Sequence, residues 1–249
     1  MSAFRPENTI LISMKNNQTM NKNCTVLCVA AHPDDEALGV GGTLIRHVQN
    51  GDEVFVIILS EGEDSKSSRS PKDAERISRA EEWCRITGAT LHRVYDFTDQ
   101  RLDTAPRLDI VQNLEKDISE IQPDVIYLHH PGDINLDHQI AGEAVLTAAR
   151  PMATQAMNFN PELLAFETPS STDQGPQILP FIFQPNHYVD VGAVWEKKMK
   201  ALQVYKNELG IAPHPRSPES IKALSVKRGA ESGLLQAEAF VLLRRVIKG

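Results

Sequence analysis

The sequence predicts an α/β protein: a Rossmann-like, mostly parallel sheet with helices on both faces and an irregular C-terminal half covering one rim of the sheet. Two observations carry this. Short apolar runs at 25–31, 53–60 and 124–130 are dense in β-formers and do not alternate with polar residues, as strands buried on both faces require. Stretches with apolar residues at helical spacing separate them, and parallel strands need such crossovers.

The elements follow in order. TVLCVAA (25–31) is the first strand. The helix predicted over 36–51 carries Leu38, Leu44, Ile45 and Val48 as a stripe and stops at Gly51. EVFVIILS (53–60) is the second strand, and EGEDSKSSRSPK (61–72) is a polar loop. A helix over 74–88 ends at Gly88; a strand follows at 90–97, a helix at 105–122, a strand at 124–130 and a helix from about 138 to 150. Past residue 150 the alternation fades. Strands are predicted at 162–167, 187–191 and 238–244, and helices at 193–206 and 217–230. No linker, repeat or low-complexity tract interrupts the chain, so 24–249 reads as one domain and 1–23 as a loosely ordered N-terminal extension.

Composition narrows the function classes. A hydrophobic content of 41% and a charged content of 24% are globular values over 249 residues, enough for a sizeable core. The net charge of −7 argues against a nucleic-acid partner, which selects a basic face. No apolar run approaches the ~18 residues of a membrane span, and the N-terminus lacks the basic start and long apolar core of a signal peptide. Cys24, Cys28 and Cys84 are odd in number; the first two share one strand and read as apolar filler, which fits a reducing, cytoplasmic setting.

Ligands of open α/β sheets sit beyond the carboxyl ends of the strands. Here the first strand ends in AHPDDE (31–36), the second in SEGEDS (60–65) and the fourth in HHPGDINLDH (129–138), all on one rim. His32 and Asp35 flank a turn begun by Pro33 and converge, while Asp34 projects elsewhere. A cation would relieve the repulsion among Asp34, Asp35 and Glu36. Two imidazole nitrogens, a carboxylate oxygen and an open position are the pattern of a catalytic zinc site, and His138 is the candidate for the second nitrogen. The plainer reading is that the acids cap the following helix. That accounts for Glu36, but not for the histidine before the proline or the second His/Asp-rich loop. Gly39, Gly41 and Gly42 suggest dinucleotide binding only weakly, because they lie past the turn and beside acids that repel phosphate; close packing explains them better.

AHPDDE after a buried first strand, with a later DH opening a helix, resembles the LmbE/PIG-L family of zinc-dependent N-deacetylases. The resemblance covers residues 25–150 and continues more loosely through FQPNHYVDV (183–191), KKMKALQVYKNE (197–208) and PHPRS (213–217). It implies zinc held by His32, Asp35 and His138, with Asp34 the general base of a metal-assisted amide hydrolysis and Asp137 orienting a histidine from outside the ligand set. Iron(II) is also compatible with nitrogen and oxygen ligands. The implied substrate is a small N-acetylated sugar or glycoconjugate, cleaved at its acetamide.

One departure stands out. Many family members carry a histidine three residues before the last ligand, on the oxyanion; here the position is Asn135. Its role then passes to His214, between prolines in a polar loop. Arg76 aligns with an arginine that family members use on the sugar, and Arg216 and Arg69 are candidates for a substrate phosphate. His129, His130 and His187 divide between pocket and packing roles. Two rivals remain: an amidase acting on another conjugate with the same metal site, and a non-catalytic Rossmann-like protein binding a nucleotide-linked sugar. The oligomeric state stays open between monomer and homo-oligomer.

Overall fold

The computed structural model describes residues 23–60, 71–155 and 159–247. The predicted extension up to residue 22, Arg69 and most of the predicted 61–72 loop lie outside the described residues. Among the described residues, seven strands form one sheet: β1 (Thr25–Ala30), β2 (Glu53–Ser60), β3 (Thr90–Phe97), β4 (Val125–His129), β5 (Glu162–Phe166), β6 (His187–Asp190) and β7 (Ala237–Arg244). Their order is β3-β2-β1-β4-β5-β7-β6. β1 to β5 run parallel, and β7 pairs antiparallel with both β5 and β6.

The period of two along each strand separates two cores. Val26, Cys28 and Ala30 enter one, with Leu44 and Ile45 of α2 (Gly41–Gln49), Trp83 of α3 (Pro71–Thr87) and Leu202 of α7 (Trp195–Leu202). Leu27, Val29 and Ala31 enter the other, with Ile110 and Leu114 of α4 (Arg107–Ile121) and Ile140 and Val145 of α5 (Leu136–Ala148). This is why the strands read as unbroken apolar runs. Of the two cysteines expected to be filler, Cys28 is buried in the first core and Cys24 packs partly buried against it; Cys84 is buried there too.

Two predictions need correction. The helix expected over 36–51 is two, α1 (Asp35–Gly39) and α2, broken at Val40, whose backbone (φ −135, ψ 6) is not helical. The glycines around the break allow close packing. A Cβ on Gly39 would fall 2.9 Å from the carbonyl of Glu167, and one on Gly42 2.8 Å from Oε1 of Glu238. The Glu238 carboxylate accepts the backbone N–H of Gly42 (2.8 Å) and Thr43 (2.7 Å), filling the place that a phosphate would take in a dinucleotide-binding protein. The second correction concerns the C-terminal half, which is not only a cover. It supplies β5, β6 and β7 to the same sheet, while the segments after β5 and before α8 (Pro218–Ser232) lie over the rim. The remaining helix, α6 (Pro151–Gln155), is short.

Candidate metal centre

From β1 the chain proceeds to β2 and β3 on one side, whereas β4 and β5 lie on the other. The switch of direction opens a crevice beyond the carboxyl ends of β1 and β4. His32 follows β1, His129 ends β4, and α5 begins nearby with Asp137 and His138. All four are buried.

His32, Asp35 and His138 each offer a ligand atom, and these atoms lie within 4.8 Å of one another. Asp35 Oδ2 is 3.2 Å from His32 Nδ1 and 3.3 Å from His138 Nε2. It also accepts the backbone N–H of His32 (2.9 Å), which fixes the turn. Asp35 Oδ1 and His138 Nε2 are buried without a hydrogen-bond partner. Buried polar atoms are rarely left so, and a carboxylate oxygen and an imidazole nitrogen orphaned in one His/Asp/His cluster fit a cation. The three side chains expected to bind metal are therefore together.

The surrounding carboxylates orient the imidazoles. His32 Nε2 lies 3.0 Å from Asp99 and 3.2 Å from Asp137, whose other oxygen accepts the Leu102 N–H (3.0 Å). Asp137 thus touches a histidine as expected. Asp99, just after β3, does so too, without any local signal in the sequence. His138 Nδ1 lies 3.3 Å from Asp133, which accepts from Asn135 N–H (2.8 Å), Thr172 Oγ1 (2.6 Å) and Ser171 Oγ. A proton on Nδ1, turned toward Asp133, leaves the His138 Nε2 lone pair facing Asp35. His129 stacks on His138 at 4.0 Å, and its Nε2 accepts the Ala31 N–H (3.0 Å), so its ring is neutral.

The electrostatics call for positive charge. Burial lowers the affinity of His138 for a proton, yet the Asp35 charge and its contact with Asp133 outweigh this and raise it to about 9. His32 is likewise raised, with burial overcome by Asp137, Asp35 and Asp99. Burial raises Asp35, but the charge of His138 holds its carboxyl well below the usual range. The field that loads protons onto these imidazoles also attracts a cation.

Asp34 stands apart from this cluster. Its backbone is left-handed (φ 121), unusual for a residue with a side chain, and its N–H is held by the Glu36 carboxylate (3.1 Å). Glu36 therefore serves the helix start as expected, and its other oxygen accepts from Tyr205 (2.7 Å). Burial pushes the Asp34 carboxyl up to about 7; the Asp35 charge adds to this and Arg216 opposes it. Arg216 donates to Asp34 Oδ2 (2.8 Å), and its Nε donates to Ser170 Oγ (2.7 Å) and the Pro169 carbonyl (3.3 Å). The arginine expected on a substrate phosphate is instead committed to Asp34.

Other expected site residues are placed differently. His214 is exposed, and its Nδ1 accepts the N–H of Arg216 within its own turn (3.1 Å); among the described residues it makes no contact with the metal cluster. Asn135 is the N-cap of α5, its side-chain oxygen taken by the Asp137 N–H (2.9 Å). Arg76 donates to Asp99 (3.4 Å) and Glu208 (3.2 Å), so it reaches the site through Asp99. His130 Nε2 bonds the Phe181 carbonyl (2.9 Å), and His187 lies on the edge strand against Phe240.

A Rossmann-like sheet with a buried His/Asp/His cluster at its switch point defines the class. Residues 27–149, just under half of the chain, match the family model described as PIG-L: GlcNAc-PI de-N-acetylase. The chain is 29% identical over 214 residues to a diacetylchitobiose deacetylase of Thermococcus kodakarensis, spanning 79% of this chain and 74% of that protein. It is 27% identical over 221 residues to "Probable N-acetyl-alpha-D-glucosaminyl L-malate deacetylase 2" of Bacillus anthracis, 85% and 88% of the two chains. A 4-oxalmesaconate hydratase of Pseudomonas putida is 28% identical over 207 residues, 77% and 76% of the two chains. Among solved structures, the conserved protein TT1542 of Thermus thermophilus superposes with a TM-score of 0.72 at 25% identity, covering 91% of this chain and 97% of that one.

Proposed function

We propose that this protein is a metal-dependent hydrolase that removes the N-acetyl group from an N-acetylated amino sugar or sugar conjugate. The observation that carries the reading is the buried His32/Asp35/His138 cluster with its two orphaned polar atoms, beside a carboxylate, Asp34, that is not part of it. The likeness to sugar deacetylases supports the substrate class.

His32, Asp35 and His138 would hold the cation, for which zinc and iron(II) both suit the donor set. When bound, it supplies Lewis acidity, which polarises a carbonyl and acidifies water. The chain's own residues move the proton. Asp34 takes it from the attacking water as the acetamide carbon is attacked, and returns it to the departing amine as the C–N bond breaks. Arg216 pins Oδ2 of Asp34 and so aims the carboxylate. Asp99, Asp137 and Asp133 keep the imidazoles in register.

A panel of N-acetylated sugars and sugar nucleotides, assayed for acetate release with and without chelator, tests the reading. Release that chelation abolishes is expected. Asp34→Asn should keep its metal and lose turnover by ~10²–10⁴-fold. An active Asp34→Asn enzyme would overturn the assignment of the base. Hydration of 4-oxalmesaconate without acetate release would move the chain to the chemistry of its hydratase relative.

A further inference from the structure

β1 and β4 pair only as far as Cys28 and Tyr127. β1 goes on to Ala30 beside β2, and β4 to His129 beside β5, so the two strand ends part at the candidate metal centre. His129 fills the gap. Its Nε2 accepts the Ala31 N–H (3.0 Å), so a side chain ties the end of β4 to the residue before His32. The same nitrogen lies 3.3 Å from Asp35 Oδ2. Its ring stacks on His138, with centroids 4.0 Å apart and planes 20° from parallel. One imidazole therefore touches both the turn that carries His32 and Asp35 and the helix that carries His138.

Packing alone does not account for an imidazole here. His129 is fully buried, Phe166 packs against its ring at 4.6 Å, and its Nδ1 has no hydrogen-bond partner. A hydrocarbon side chain would fill the space without stranding that nitrogen, and a stranded buried polar group is costly. What a hydrocarbon cannot do is accept the Ala31 N–H. Nor does His129 serve as a fourth metal ligand. The one lone pair of the neutral ring, on Nε2, is taken by Ala31. Its effect on His138 complements that of Asp133. Asp133 holds the Nδ1 edge of the His138 ring, and the stack with His129 holds its plane.

We infer that His129 is a positioning residue, which sets the spacing between the turn that bears His32 and Asp35 and the helix that bears His138. The inference rests on the metal reading above. The test loads the full chain with cobalt(II), read by its visible ligand-field absorption and by competition with a chelator. His129→Leu removes the acceptor and the stack, whereas His129→Gln returns an acceptor near the place of Nε2. His129→Leu should weaken cobalt affinity by ~10–100-fold and alter the absorption of the saturated protein, because the ligands no longer meet at the same spacing. His129→Gln should recover part of both, and the Tm of the metal-free proteins reads folding separately. Wild-type affinity and absorption in His129→Leu overturn the inference. So does weaker binding that leaves the saturated absorption unchanged and is not relieved in His129→Gln, since the ring would then serve stability alone. Nitrogen NMR of the wild type decides the matter if His129→Leu does not fold. A proton on Nδ1 of His129 and none on Nε2, with zinc bound and without, supports the inference; a proton on Nε2 overturns it. If the wild type takes up neither cobalt(II), zinc nor iron(II), the metal reading itself falls and this inference falls with it. Uptake by the wild type with His129→Leu indistinguishable from it removes the inference alone.

Discussion

Asp133 shows how a single residue fixes a proposed metal ligand from outside. It gathers hydrogen bonds from Asn135 N–H, Ser171 and Thr172, and turns the resulting rigid carboxylate toward Nδ1 of His138. Removing it frees the imidazole to rotate and to change tautomer. Asp133→Ala should therefore weaken metal affinity by ~10–100-fold, while Asp133→Asn, which keeps an acceptor, should recover part of the loss. Competition against a chromophoric chelator measures both, and equal affinities in wild type and Asp133→Ala would remove Asp133 from this role. His32, Asp35 and His138 were legible in the sequence because a histidine before a proline, followed by acids, has little folding purpose. Asp133 stands in the same quoted stretch, yet an aspartate after a glycine reads as a turn former. Asp99 had no readable role at all, and Arg216 was read toward a substrate phosphate and not toward Asp34. Their contacts depend on how loops distant in sequence pack together, and local spacing does not encode that.

At the scale of elements, the break between α1 and α2 places Asp35 and Glu36 in their own short helix and begins α2 at a fresh N-terminus. Glu238, 196 residues further on, caps that terminus and pairs with Lys198 Nζ at 2.6 Å, both side chains almost fully buried. Lys198 also donates to the Leu38 carbonyl (3.1 Å), so one ion pair secures the ends of both helices. Glu238→Gln leaves the Lys198 charge buried without a counter-charge and removes one of the two N–H acceptors. Breaking a buried pair this way costs ~3–5 kcal/mol, and urea unfolding should show a loss of that order. A loss below ~1 kcal/mol would show that the cap is dispensable. The sequence concealed this break. Leu38, Leu44, Ile45 and Val48 keep a continuous helical period across Val40, and the interrupting carboxylate comes from the last strand. Gly88, by contrast, was a readable stop: its φ of +92 is a conformation that favours glycine.

Across the whole molecule, β1 to β3 and β4 to β5 neighbour one another in chain order, as consecutive βαβ units do. β4, however, crosses back to pair with β1, a switch that alternation alone does not announce. β7 breaks chain order too by inserting between β5 and β6, a pairing of distant segments that no local pattern announces. The candidate metal centre depends on this long-range assembly. Its ligands come from the turn after β1 and from α5, and their supports from the segments after β3 and β5. Such a site exists only in the folded chain, so a cation that binds it must stabilise the fold as a whole. The gain is RT ln(1 + [L]/Kd), ~2.7 kcal/mol at a hundredfold excess over Kd. For a chain of 249 residues each kcal/mol raises Tm by ~2–4 °C, so saturating zinc or iron(II) should raise it by ~5–10 °C, and chelation should reverse the gain. In His32→Ala and His138→Ala the same addition should leave Tm within ~1 °C of the metal-free value, because the ligand set that distinguishes folded from unfolded chain is lost. The comparison separates specific binding from loose association with surface carboxylates, which would shift all three proteins alike. A wild-type Tm indifferent to zinc, iron(II) and manganese(II) would mean that the cluster is a buried network of hydrogen bonds and not a metal centre.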